Sequence, residues 1–242
     1  MATASTARAM LGNPDYPTSD GKPMAETDYH RDLMLALIQT LRAYYAADPQ
    51  VYVSGNILLF YEPGNRRRHV SPDVLVVKGV PKADRLNYLV WEEGQPPDLV
   101  IELTSSSTRS KDTKKKFQLY QDTLKVAEYF LFDPMGDYLD PPLQGYQLQR
   151  GKYVAIQPIE GRLPSDVLGL HFERHDKVLR VYDPATGRWL PTEEERTAQA
   201  EEQAEQAQGR LAQAEGRLAQ AKAENKRLQR ELDELRRQVP PQ

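Results

Sequence analysis

Apolar residues between Thr27 and Tyr45 recur at three- and four-residue steps, at His30, Leu33, Met34, Leu37, Ile38, Leu41 and Tyr44. That spacing predicts an amphipathic helix, with Thr27 or Asp28 as its cap. Val51–Val53, Asn56–Tyr61 and His69–Val77 are rich in residues that favour strands, and Glu62-Pro63-Gly64-Asn65 supplies a turn between the last two. They read as a strand pair joined by that turn. Leu99–Leu103 is a short apolar strand, and Tyr129–Phe132 is another. Between them, Asp112 to about Thr123 reads as a helix with Phe117, Tyr120 and Leu124 on its inner face. Strand, helix, strand is a crossover unit, so an α/β (α+β) mixed β-sheet flanked by helices follows. From Tyr146 to Trp189 short β-pieces alternate with turns, a small β-meander that packs on the body or extends its sheet.

After Pro191 the composition changes to Ala, Glu, Gln, Arg and Leu. Ala204, Leu211, Leu218, Asn225, Leu232 and Val239 fall on one heptad position, and Ala207, Ala214, Ala221, Leu228 and Leu235 on the other. This is a coiled-coil seam, and the lone polar Asn225 within it favours a parallel dimer in one register. Gly209 and Gly216 each cost the helix about 1 kcal/mol relative to Ala, so pairing is firmest after Leu218. A solvated single helix is the plainer alternative. The expected organisation is a flexible N-terminal segment over residues 1–22, a domain over 23–190 with a β-rich extension at 146–190, and a coiled-coil tail over 191–242 that makes a homodimer through residues 204–239.

Composition narrows the chemistry. The 242 residues are 39% hydrophobic and 28% charged, which argues against bulk disorder and against a membrane-embedded chain. No run approaches the roughly 20 apolar residues of a bilayer span. The opening segment lacks the layout of a secretory signal, so a cytoplasmic location is expected. The absence of cysteine removes disulfides, thiolate metal sites and thiol nucleophiles. The four histidines form no zinc-like pair, which leaves oxygen ligation of a hard cation open. A net charge of −3 means that any phosphate contact rests on local basic patches.

Three residue groups stand where strands end or helices begin. Ser71-Pro72-Asp73 places an acid at the edge of the apolar run VLVV, where it could also be an ordinary turn cap. In PPDLVIELTSSST, alternation puts Asp98, Val100, Glu102 and Thr104 on one face. Glu102, amid apolar residues, must be paired, protonated or metal-bound. Its bland reading is an ion pair with a lysine, Lys116 included. Asp98 sits at the strand start, after two prolines, and is set aside. The third group is Arg109, Lys111, Lys114, Lys115 and Lys116, at and after the start of the crossover helix, where helix dipole and side chains both attract phosphate. Lys116 borders the buried stripe and can turn toward Glu102, whereas Lys114 and Lys115 read as a solvated face. His30 is either a core histidine or a phosphate or water contact. Arg66, Arg67, Arg68 and His69 either touch nucleic-acid backbone or blunt a strand edge.

The runs YEPGNRRRHVSPDVLVVKGV, WEEGQPPDLVIELTSSSTRSKDTKKKFQLY, EYFLFDP and GDYLDPPLQGY resemble the Uma-two family of the PD-(D/E)XK restriction-endonuclease-like superfamily, over most of residues 23–190. The resemblance implies that Asp73 and Glu102 hold Mg²⁺, with Mn²⁺ as a substitute. It also implies that a lysine completes the site. The usual position two residues after the Glu holds Thr104, and the pattern puts the substitute lysine at Lys116. Ser106 stands where many relatives have Pro. The implied activity is Mg²⁺-dependent hydrolysis of phosphodiester bonds in DNA, ahead of RNA; His30, Arg109 and Lys115 are the candidate substrate contacts. The rival reading is a catalytically silent nuclease-like module assembled through its coiled coil, since fold and activity separate readily.

Overall fold

The computed structural model describes residues 10–21, 27–105 and 108–238. Its chain divides into two compact units, Met1–Thr192 and Glu193–Gln242. Helix α1, Asp28–Tyr44, starts where the cap residue predicts: Thr27 Oγ1 accepts from the His30 amide at 3.1 Å. The strands of the first half are β1 Val51–Ser54, β2 Leu59–Phe60, β3 His69–Val70, β4 Val74–Lys78 and β5 Tyr88–Leu89, followed by a single helical turn, α2 Val90–Glu93. Strand β6, Leu99–Leu103, leads to the crossover helix over 109–124, and β7, Glu128–Phe132, completes the unit. Then come β8 Leu143–Gln149, β9 Lys152–Ala155, β10 Leu163–Ser165, β11 Leu170–His175, β12 Val178–Asp183 and β13 Arg188–Trp189.

The main sheet has the order β1-β4-β6-β7-β8-β9. The β6–β7 pair is parallel, as the crossover demands, and the others are antiparallel. Both faces are covered. On one, α1 and the strands β10–β12 pack over Val53, Val74, Ile101, Phe130 and Phe132. On the other, Tyr120 and Leu124 of the crossover helix pack over Leu75, Val100, Tyr129 and Leu131. The β-rich extension therefore divides: β8 and β9 extend the main sheet, while β10–β13 form a second antiparallel sheet.

Three expectations are corrected. His69–Val77 is not one strand, because Pro72 has no amide to donate and the chain breaks at Ser71-Pro72-Asp73. Of this run β3 pairs with β2, which β5 joins on its other side, whereas β4 leaves to lie between β1 and β6. The crossover helix is not a plain α-helix: Lys111–Lys116 and Leu119–Leu124 are π-wound. Finally, the expected flexible segment over 1–22 lies partly outside the described residues, but its Leu11–Tyr16 stretch is tied down. The Leu11 amide donates to Asp84 O at 2.8 Å, Asn87 Nδ2 donates to Asn13 O at 2.9 Å, and the Tyr16 ring meets Phe60 and Trp91 at 4.9 and 5.5 Å.

The second unit is described by one helix, α3, Glu193–Gln238. Its seam residues Leu211, Leu218, Leu228 and Leu232 are all about half exposed or more. Val239 lies outside the described residues.

Gly55 sets the approach of α1 and β1 to the Ser71-Pro72-Asp73 break. A Cβ there would lie 1.9 Å from the Asp73 carbonyl oxygen and 2.7 Å from Ile38 Cδ1. Gly55→Ala is expected to destabilise the protein by about 1–3 kcal/mol through overpacking, read from the midpoint of urea denaturation at unchanged m-value.

Candidate active site

Glu102 is fully buried in the middle strand of the main sheet, on the face that the crossover helix covers. Its two carboxylate oxygens go to different residues of that helix. Oε2 accepts from Lys116 Nζ at 2.6 Å and Oε1 from the Tyr120 hydroxyl at 2.7 Å. The lysine expected from the pattern thus reaches the strand carrying Glu102. Its ammonium also donates to Ser71 O at 3.3 Å and lies 3.5 Å from Asp112 Oδ1.

Asp73 enters from the break before β4. Its Oδ2 accepts from the Leu103 amide at 2.8 Å, and its own amide faces Glu102 Oε2 at 3.4 Å. The antiparallel register of β4 on β6, Val74 opposite Ile101, brings the acid beside Glu102. His30, in the first turn of α1, places Nε2 3.5 Å from Asp73 Oδ2. Asp73 and His30 keep 19% and 11% of their side chains exposed, so solvent reaches the cluster from their side. Asp73, Glu102, Lys116 and His30 are therefore brought together. Arg109 and Lys115 are not: both are exposed on the crossover helix.

Charge in the cluster is unbalanced, because Asp73, Glu102 and Asp112 share one ammonium. Burial opposes ionisation of Asp73, but the His30 hydrogen bond, the Lys116 charge and the Leu103 amide hold it below its ordinary value. Burial raises Glu102 to about 8 against the pull of Lys116, with Asp73 and Asp112 pushing the same way as burial. Burial also raises Asp112. For Lys116 burial favours loss of the proton, yet Glu102, Asp73 and Asp112 together raise it above its ordinary value.

The donors suit a hard cation. Asp73 and Glu102 offer carboxylate oxygens of the type such a cation takes, the acids outnumber the bases, and two further oxygens, Thr104 Oγ1 and Asp112 Oδ1, are buried without a hydrogen-bond partner. Among the described residues no group of three or more His, Cys, Asp or Glu is arranged to hold a metal. Two carboxylates completed by water and phosphate oxygens are the kind of set Mg²⁺ uses.

Asp98, Arg68 and His69 make local structural contacts. Asp98 Oδ2 accepts from the Lys78 amide at 2.7 Å and ties β6 to the end of β4. Arg68 pairs with Glu62 at 3.0 Å and His69 Nδ1 lies 3.0 Å from Arg66 O, so the basic run closes the turn ahead of edge strand β3. Sequence reasoning passed over Asp112 and the hydroxyl of Tyr120. The four-residue spacing Asp112, Lys116, Tyr120 was the available signal.

The family model described as "Putative restriction endonuclease", Uma2, matches residues 13–175, more than half of the chain. The chain belongs to the Uma2 family. Among solved structures, a protein of Anabaena variabilis ATCC 29413, described as a putative nuclease belonging to DUF820, is 15% identical. That match covers 67% of this chain and 90% of the other, with a TM-score of 0.46. No curated protein matches. No helix among the described residues of this Uma2 protein is long and apolar enough to cross a membrane.

The acid excess predicts a pH dependence. A carboxyl raised from 4.5 to about 8 contributes stability that is complete below 4.5 and lost as pH rises through 8. Lys116, raised, and Asp73, lowered, contribute evenly between pH 5 and 8. With chelator present, wild type should lose stability from pH 5 to pH 8, and Glu102→Gln should lose less. Urea denaturation at both pH values measures this, and equal losses in the two proteins would refute it.

Proposed function

We propose that this Uma2 protein is a Mg²⁺-dependent nuclease that hydrolyses phosphodiester bonds in DNA, working in the cytoplasm, with Asp73 and Glu102 as metal ligands and Lys116 as the catalytic amine. The observation that carries the reading is the convergence of Lys116 Nζ on Glu102 at 2.6 Å, with the Asp73 amide 3.4 Å from the same carboxylate oxygen. These groups come from three separate elements. When bound, the cation would polarise a phosphodiester oxygen and lower the pKa of its water. Mn²⁺ is expected to substitute for it.

Lys116 stays charged among three acids, so its role is to hold the attacking water and offset negative charge gathering on the phosphoryl oxygens. His30, beside Asp73 on the exposed side of the cluster, is placed to meet a phosphate oxygen or the water. Arg109 and Lys115, exposed on the crossover helix, contact neighbouring backbone phosphates and make binding salt-dependent.

One observation favours the silent nuclease-like module instead: both oxygens of Glu102 are already engaged, by Lys116 and Tyr120. A cleavage assay on DNA and RNA with Mg²⁺ or Mn²⁺ separates the two. The nuclease reading expects metal-dependent cutting that falls by at least ~10²-fold in Glu102→Gln and in Lys116→Met. Metal-dependent cleavage of neither nucleic acid would leave the silent module.

The uncovered leucines of α3 and the central Asn225 support a parallel homodimer through residues 204–239, which would carry two sites. Light scattering of the full chain should give twice the monomer mass. The triple variant Leu218→Asp, Leu228→Asp, Leu232→Asp should give the monomer, and a monomeric wild type would end the proposal.

A further inference from the structure

Asp112, Lys116 and Tyr120 are spaced by four residues, and all three side chains are buried. In an α-helix of 3.6 residues per turn a four-residue step overshoots by ~40°, so three such residues fan out over ~80°. Here the turns Lys111–Lys116 and Leu119–Leu124 are wound wider, and Lys116 and Tyr120 both reach Glu102 of β6. The backbone is pinned at the start of this ladder, where the Tyr129 hydroxyl donates to Asp112 O at 3.1 Å.

The ladder divides its contacts between the two groups assigned to the chemistry. Tyr120 touches Glu102 Oε1 and leaves Oε2 to face Lys116 and the Asp73 amide. Asp112 Oδ1 lies 3.5 Å from the Lys116 ammonium and is buried without a hydrogen-bond partner. A buried tyrosine hydroxyl ordinarily finds some partner. What matters here is that its partner is a proposed metal ligand, because groups that orient such ligands set metal affinity.

We infer that Tyr120 and Asp112 are positioning residues: Tyr120 fixes the carboxylate plane of Glu102 for the cation, and Asp112 fixes the Lys116 ammonium for the reaction. The inference rests on the metal-nuclease reading and assigns that site two members outside the expected set.

The test is isothermal titration of the full-length protein with Mn²⁺ alone, beside steady-state cleavage kinetics. Tyr120→Phe removes one oxygen and keeps the ring that packs on Tyr129 at 5.0 Å. It should weaken Mn²⁺ binding by about tenfold to a hundredfold. Leu124→Ala, a packing change on the same helix face, should lower the melting temperature and leave Mn²⁺ affinity as in wild type. Asp112→Asn should lower kcat about tenfold or more with the KM for nucleic acid unchanged, and this arm stands even where Tyr120→Phe does not fold. Unaltered Mn²⁺ affinity in folded Tyr120→Phe, or unaltered kcat in Asp112→Asn, overturns the inference and leaves the nuclease reading in place. No Mn²⁺ uptake by wild type overturns both.

Discussion

A carboxylate with no exposure, set in the central part of a six-stranded sheet, has to be answered by positive charge and hydrogen-bond donors. Glu102 imposes that demand, and the architecture around it is the response. The parallel β6–β7 pair requires a crossover, the crossover helix lies over the Glu102 face, and its Lys116 and Tyr120 supply the two donors. The break at Pro72 frees β4 to pair antiparallel with β6, which delivers Asp73 to the same oxygen. Helix α1 then adds His30 from the other face of the sheet.

The other buried acids show why this cluster is different. Glu128 accepts from the Ser165 hydroxyl and from the Asp166 and Val167 amides, so it clamps the turn after β10 to β7. Asp133 accepts from the amides of Met135, Gly136, Tyr138 and Leu139 and shapes the turn after β7. Such acids are satisfied by backbone that cannot move away, and their role is structural. The Glu102 cluster instead depends on side-chain partners, holds more acid than base, and keeps two oxygens without hydrogen-bond partners. Sites with strongly shifted ionisation and incomplete satisfaction are where function concentrates.

The tail obeys a separate logic. Its 46-residue helix has no apolar core of its own, and its regularly spaced leucines stay uncovered among the described residues. A helix of that composition gains little by burying a face against itself, so its stability and its role both depend on what it pairs with.

The amino-acid sequence by itself determined α1 with its Thr27 cap, strands β6 and β7 with the crossover between them, the inward face of Glu102, the change of character after Pro191, and the family. Those features follow from periodicity, capping and burial costs, which act between residues near in sequence. Tertiary structure decided the rest. Whether His69–Val77 ran on as one strand depended on which neighbour β4 would choose, a partner distant in the chain. The splitting of residues 146–189 between two sheets was settled in the same way. The four-residue spacing of Asp112, Lys116 and Tyr120 hinted at one shared face, but that the Tyr120 hydroxyl meets Glu102 and Asp112 faces Lys116 was decided by how the crossover helix packs on β6. Local pattern says which side of an element faces inward; only packing says what it meets there.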